Sequence, residues 1–186
     1  KTMTRVAVLM STFNGERFLA EQIESILHQK DIDTYIIVRD DGSNDKTVSI
    51  LNDYKNQHEN KFHIIAGDNV GWKKSFFELV KYAASKEPDF DCYAFADQDD
   101  IWLPEKLCKA TSFLSDNPQS PELYCSNLFY YKNGENYGQV NHSTITPTYK
   151  NCLCRNYATG CTIVFNNALL KLLGEGTPNF EIAHDH

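Results

Sequence analysis

Three aspartates stand together where an apolar run ends: Cys92–Ala96 leads directly into Asp97-Gln98-Asp99-Asp100. In an extended chain, side chains two residues apart share a face, so Asp97 and Asp99 point to one side and Asp100 to the other. Two carboxylates aimed together repel, and the pair is stable only where a cation or hydrogen-bond donors offset that repulsion. A hard divalent ion, Mn²⁺ or Mg²⁺, held by one or two carboxylates plus substrate phosphates meets the requirement. The residues alone leave a plainer alternative open, in which Asp99 or Asp100 caps a helix starting at Pro104. An EF-hand is excluded: counting from Asp97, Trp102 stands where the loop needs Gly and Cys108 where it needs the closing Glu.

Other polar clusters close other apolar runs. Asp40-Asp41-Gly42-Ser43 follows one, and Asp40 there either accepts hydrogen bonds from a base or ribose or only shapes a turn. Ser11-Thr12-Phe13-Asn14-Gly15 follows another and is not a phosphate-binding P-loop, because Gly-Lys-Ser/Thr is missing and no G-x-G-x-x-G occurs. Gly67–Gly71 precedes a helical pattern, so the backbone N–H groups after Gly71, with Lys73 and Lys74, are candidates to face phosphate; the alternative is two ordinary surface lysines. Near the end, His184-Asp185-His186 offers a base and a ligand side by side, or nothing.

These clusters need elements to bring them together. Arg5–Met10, Thr34–Arg39, Phe62–Ala66 and Asp91–Ala96 are short, apolar and partly β-branched, as fully buried strands are. Helical spacing runs through Glu16–Gln29, Asp45–Asn56 (with Ser43 or Asn44 as N-cap), Trp72–Ser85 and Pro104–Ser115. This alternation predicts an α/β fold, a mostly parallel sheet flanked by helices on both faces. Ligands of such sheets bind at the C-terminal strand ends, where all four polar clusters fall. After Pro121 the pattern becomes a mixed β/α second half: a strand Leu123–Tyr131 with a hairpin turn at Asn133-Gly134, a strand Cys161–Phe165 and a short helix Asn167–Leu173.

The 186 residues suit one domain over 1–186, with a nucleotide-binding half at about 5–117 and an acceptor-side half at about 118–186 that reads as truncated. A net charge of −7 argues against a nucleic-acid partner and means that an anionic ligand needs local help. Six cysteines lie mostly in apolar runs, and Cys152-x-Cys154 lacks the spacing of a zinc knuckle, so reduced thiols and a cytoplasmic setting are expected. No apolar stretch reaches the ~18 residues of a membrane span.

Taken together, Val8–Glu16, Glu21-Gln22-Ile23-x-Ser25-Ile26-x-x-Gln29, Val38–Ser43 with Asp45 and Thr47, Asn69-Val70-Gly71, and Asp97-Gln98-Asp99-Asp100-x-Trp102-x-Pro104-x-Lys106 resemble family 2 glycosyltransferases in order and spacing. The subgroup they resemble is that of bacterial rhamnosyltransferase-like enzymes of surface polysaccharide synthesis. The resemblance implies the GT-A (Rossmann-like) fold, a divalent metal and an inverting transfer from a nucleotide-sugar donor, dTDP-rhamnose or a UDP-sugar. It implies a saccharide or lipid-linked acceptor, and with it a peripheral place at the inner face of the plasma membrane. By the same resemblance Thr12, Asn14 and Asp40 line the nucleotide pocket, with Asp40 near the base. Asp97 contacts ribose or sugar and Asp99 holds the metal; the residues themselves, apart from the resemblance, offer Gly71 and Lys73 to the donor site and the His186 imidazole as a further metal ligand. Asp185 stands where the family carries its catalytic base.

Two other readings compete. In a phosphatase or phosphotransferase of the haloacid-dehalogenase type, Asp97 is the nucleophile and Asp99 the acid. That family places its D-x-D on the first strand with Thr two residues beyond, whereas here the motif follows the fourth strand and Ile101 holds that position. A nucleotide-sugar-binding module without catalysis is the second.

Overall fold

The computed structural model describes residues 3–86, 90–114, 117, 119–132, 134–139 and 158–177. A run with no polar face can be satisfied only in the middle of a sheet covered on both sides. Such a run is β1 (Thr4–Thr12), which pairs in parallel with β2 (Ile32–Asp40) on one side and β4 (Cys92–Ala96) on the other. β3 (Phe62–Ala66) adds to β2, also in parallel. Beyond β4 the sheet turns antiparallel through β8 (Val164–Asn166), with β5 (Leu123–Tyr124) at the edge, giving the order β3-β2-β1-β4-β8-β5.

Alternation along β1 divides the core in two. Val6, Val8 and Met10 pack with α1 (Leu19–Leu27), α2 (Thr47–Gln57) and α4 (Lys106–Phe113) through Ile23, Ile26, Leu51 and Leu107. Ala7 and Leu9 face α3 (Trp72–Ala84) and α5 (Asn167–Glu175) through Leu79, Val80 and Leu170. The expected parallel sheet with helices on both faces is therefore present.

The second half departs from expectation in detail. Leu123–Tyr131 is not one strand: β5 joins the main sheet, while β6 (Phe129–Lys132) pairs with β7 (Glu135–Gln139) in a separate two-stranded sheet. The residues between them, 125–128, pair with neither. The strand expected at Cys161–Phe165 begins later, because Gly160–Thr162 forms a 3₁₀ turn. The expected caps of α2 are also displaced. Ser43 and Asn44 bond to the neighbouring loop, and Asp45 instead accepts from the Thr47 N–H at 2.9 Å.

One buried ion network ties three of these elements together. Arg39, at the end of β2 and 3% exposed, donates to Asp41, to Glu78 and Ser75 on α3, and to the Asp68 carbonyl. Burial pulls the Asp41 carboxyl upward, but hydrogen bonds from the Val70 N–H, the Arg39 guanidinium and the Gly71 N–H outweigh it and hold the group below its usual range. A carboxyl with a depressed folded value stabilises above its unfolded value of ~3.9 and loses that stabilisation as pH falls through the folded one. Arg39→Met should cost about 3–5 kcal/mol at neutral pH, because it leaves Asp41 charged and buried. Urea unfolding measures this, and a loss under about 1 kcal/mol would show that the pair does not hold the loop.

Candidate functional site

Four loops leave the C-terminal ends of β1 to β4 on the same edge of the sheet. Between them lies a cleft of about 380 Å³ lined by Ser11, Phe13, Asp41, Asn69, Gly71, Trp72, Phe76, Asp97, Gln98 and Asp99. The cleft sits where strand order reverses, since the chain runs from β1 outward to β3 and then returns to β4 on β1's other side. Among the described lining residues three are aspartates and none is Lys or Arg.

Side chains bonded to backbone lock the loops to one another. Gln98 reads Phe13 from both sides: its Oε1 accepts from the Phe13 N–H at 2.9 Å and its Nε2 donates to the Phe13 carbonyl at 3.0 Å. Gly15 permits this approach, since a Cβ there would stand 2.3 Å from Gln98 Oε1. Asn14 accepts from the Asn44 N–H through its side chain, and its own N–H donates to Ser43 Oγ. Gly71 adopts φ +83°, the left-handed region that favours glycine, and its N–H donates to Asp41.

Gly71, Asp97 and Asp99 thus line the cleft as the sequence suggests, whereas four other candidates stand off it. Asp40 is 3% exposed, and its carboxylate accepts from Thr12 Oγ1, the Ser43 N–H and Ser43 Oγ. Thr12 is correspondingly buried against it, and Asn14 faces the β2–α2 loop. Lys73 carries its ammonium 5.3 Å above the Trp72 ring and is not a lining residue. Adjacent residues on a helix point about 100° apart, so Trp72 lines the cleft while Lys73 lies beside it against the indole ring. His184, Asp185 and His186 lie outside the described residues.

The acidic motif does not cap α4, whose first residue is preceded by Glu105 with no side-chain cap. Nor does it continue extended, because the chain turns at Gln98-Asp99. That turn brings Asp97 and Asp100 together with Cys161, each placing one ligand atom within 4.8 Å of the others. Burial, then the Asp100 and Asp99 charges, push the Asp97 carboxyl up to about 6. Burial and the neighbouring carboxylates raise the Cys161 thiol as well, so it stays protonated. The donor set is two crowded carboxylates with one thiol beside them, and the carboxylate oxygens suit a hard divalent ion.

Helix α1 explains a second part of the motif pattern. Ser25 Oγ accepts from the Trp102 N–H at 3.0 Å. Gln29 donates to the Leu103 carbonyl and accepts from the Leu107 N–H, both at 2.9 Å. The spacing of Ser25 and Gln29 is thus a clamp on the segment that follows the aspartates. Sequence reasoning missed Asp41, Phe13, Trp72 and Gln98 as site residues. The visible signal for Trp72 was a large aromatic beside a strand-end glycine, and it stands 64% exposed on the cleft wall.

A parallel sheet with this order, an antiparallel extension and an acidic cleft at the β1/β4 switch defines the GT-A arrangement. Residues 7–172 match the family model described as "Glycosyl transferase family 2", and the chain belongs to that family. It is 36% identical over 128 residues to dTDP-rhamnosyl transferase RfbG of Shigella flexneri, covering 67% of this chain and 43% of the relative. The chain thus spans less than half the length of that relative. Among solved structures, S. aureus TarS 1-349 in complex with UDP-GlcNAc superposes with a TM-score of 0.66 at 23% identity, covering 90% of this chain and 47% of TarS. Mannosyltransferase PcManGT from Pyrobaculum calidifontis, in complex with GDP-Man and Mn²⁺, gives 0.54 at 19% identity, covering 64% and 35%. Both show the shared fold. Family membership leaves the haloacid-dehalogenase reading without support.

The raised carboxyl has a measurable consequence. With a folded value of about 6 against an unfolded ~3.9, Asp97 takes up a proton on folding between about pH 4 and 6. Its contribution to stability therefore falls as pH rises through that window. Metal-free Asp97→Asn protein should be more stable than the parent at pH 7, by about 1–2 kcal/mol after allowing for partial solvent screening, with the gain shrinking toward pH 4. Thermal melts across pH test this, and a pH-independent difference would contradict it.

Proposed function

We propose that the protein is an inverting, metal-dependent glycosyltransferase that takes a sugar from a nucleotide-diphosphate donor, dTDP-rhamnose or a UDP-sugar, to a saccharide or lipid-linked acceptor of bacterial surface polysaccharide. The observation that carries the reading is Asp97, crowded by Asp100, and Asp99 together in a cleft whose described lining residues include three aspartates and no Lys or Arg. A diphosphate cannot approach such a wall unaided. Asp99 and Asp97 would hold Mn²⁺ or Mg²⁺. When bound, the ion supplies Lewis-acid stabilisation of the negative charge that grows on the leaving diphosphate.

The chain's own residues do the rest. Trp72 and Phe13 offer apolar walls against which a base or sugar ring can stack. The β2 end, where the buried Asp40 is held by Thr12 and Ser43, stiffens the floor on the nucleotide side. The Gln98–Phe13 zipper fixes the distance between that floor and the aspartates. The acceptor hydroxyl is a weak nucleophile, so a carboxylate on the far side of the sugar must take its proton as the new bond forms. Asp185 is assigned that role from its place in the His-Asp-His pattern. Displacement from the side opposite the diphosphate inverts the anomeric carbon. Kinship with the Shigella rhamnosyl transferase supports the donor class.

Calorimetry with UDP and dTDP tests the donor site. Asp99→Ala should abolish the Mn²⁺-dependent part of nucleotide affinity while leaving the fold intact; equal affinity in Mn²⁺ would reject the metal assignment. Asp185→Asn should keep nucleotide binding but lower transfer about 10²–10⁴-fold, the range of a lost general base. Near-normal turnover would move the role to His184 or His186.

A further inference from the structure

Lys106 breaks two rules at once. Its ammonium is fully buried with no hydrogen-bond partner, and it is the first residue of α4, where the helix dipole disfavours a cation. What holds it is the face of Trp102, with Nζ 3.5 Å from the ring centroid. Trp102 is itself 5% exposed and fixed by the Ser25 clamp. Asp100 Oδ2 shares the buried space and also lacks a hydrogen-bond partner. Burial pulls the Lys106 ammonium down to about 8, against the pull of Cys161 and Asp100, so it stays largely charged at neutral pH; burial likewise raises the Asp100 carboxyl, and the Cys161 hydrogen bond and the Lys106 charge work against that. A cation placed at such cost near a buried carboxylate marks a site where function overrides local preference.

Electrostatics gives that cation a direction of action. Against a divalent ion arriving alone, a buried positive charge near Asp100 and outside the described cleft lining weakens the hold of Asp97 and Asp99. Against a nucleoside diphosphate, the same charge attracts. We propose that Lys106 is a positioning residue whose fixed ammonium balances the Asp97–Asp100 carboxylates, so that the cleft holds a divalent ion firmly only together with a nucleoside diphosphate. This rests on the donor-site reading above and adds an order of binding to it.

The test uses Mn²⁺ alone, read by electron paramagnetic resonance, alongside UDP affinity with and without the metal. Lys106→Met keeps the stem's volume on Trp102 and removes the charge. It should bind Mn²⁺ without nucleotide about tenfold more tightly than the parent and bind metal-free UDP more weakly. Lys106→Arg should resemble the parent. The double variant Lys106→Met, Asp100→Asn, which restores the net charge of the cluster, should return Mn²⁺ affinity toward the parental value. A folded Lys106→Met protein with unchanged or weaker affinity for Mn²⁺ alone overturns the proposal. So does failure of both the single and double variants to fold, which would make Lys106 a packing residue. If the parent fails to bind UDP with Mn²⁺, the donor-site reading falls, whereas the series with Mn²⁺ alone still reads the charge of Lys106.

Discussion

Carboxylates gathered at one edge of a parallel sheet must be neutralised, and the rest of the structure is arranged around how that is done. Asp40 is met by two hydroxyls and a backbone N–H. Asp41 is met by a buried guanidinium and two N–H groups at the start of α3. Asp45 takes the N–H groups of Glu16 and Thr47. Each of these charges is satisfied inside the chain and in the process stitches one loop to the next. Asp97 and Asp100 are treated differently. They are buried beside one another and Cys161, with no guanidinium or backbone N–H shown to meet them, and Asp97 responds with a raised proton affinity. The contrast separates structural aspartates from the pair left to meet something from outside.

The same bonds set the stiffness of the cleft. A site useful for chemistry must be held within a fraction of an ångström by residues that are themselves fixed. Gln98 on Phe13, Asn14 on Asn44, and Ser25 and Gln29 on the segment after the aspartates are side-chain-to-backbone bonds between elements far apart in sequence. They leave the walls little freedom without any regular structure in the loops. Arg39 adds the anchor for the β3–α3 loop, so the wall that carries Gly71 and Trp72 moves with β2.

What the sequence makes legible follows from range. Buried parallel strands are apolar at every position, so β1 to β4 and their order of helices can be read locally, as can the polar clusters at their ends. Ser43 was misplaced because its hydroxyl serves Asp40 and Asn14, partners that a cap argument, confined to neighbours, does not see. Charge makes Lys73 legible as a donor-site candidate, whereas the helix's rotation about its axis, which places Trp72 on the cleft wall, is not readable from composition. Leu123–Tyr131 looked like one strand because composition does not reveal that its two ends pair with different partners. Asp41 was hidden beside Asp40 for the same reason: only the structure shows which of them looks into the cleft.

A cleft whose described walls carry no cationic side chain also has a consequence for turnover under the proposed donor reading. Lysines or arginines in the wall would hold the product diphosphate as well as they hold the donor, because they cannot leave. A wall of carboxylates reverses that: its hold on a diphosphate depends on the ion between them, and each of the three binds the next through alternating charge. Removing any one member leaves the other two repelling or weakly held. Loss of the ion then frees the vacated nucleotide, which a lysine fixed in the wall would not, and Lys106 stays outside the described cleft lining.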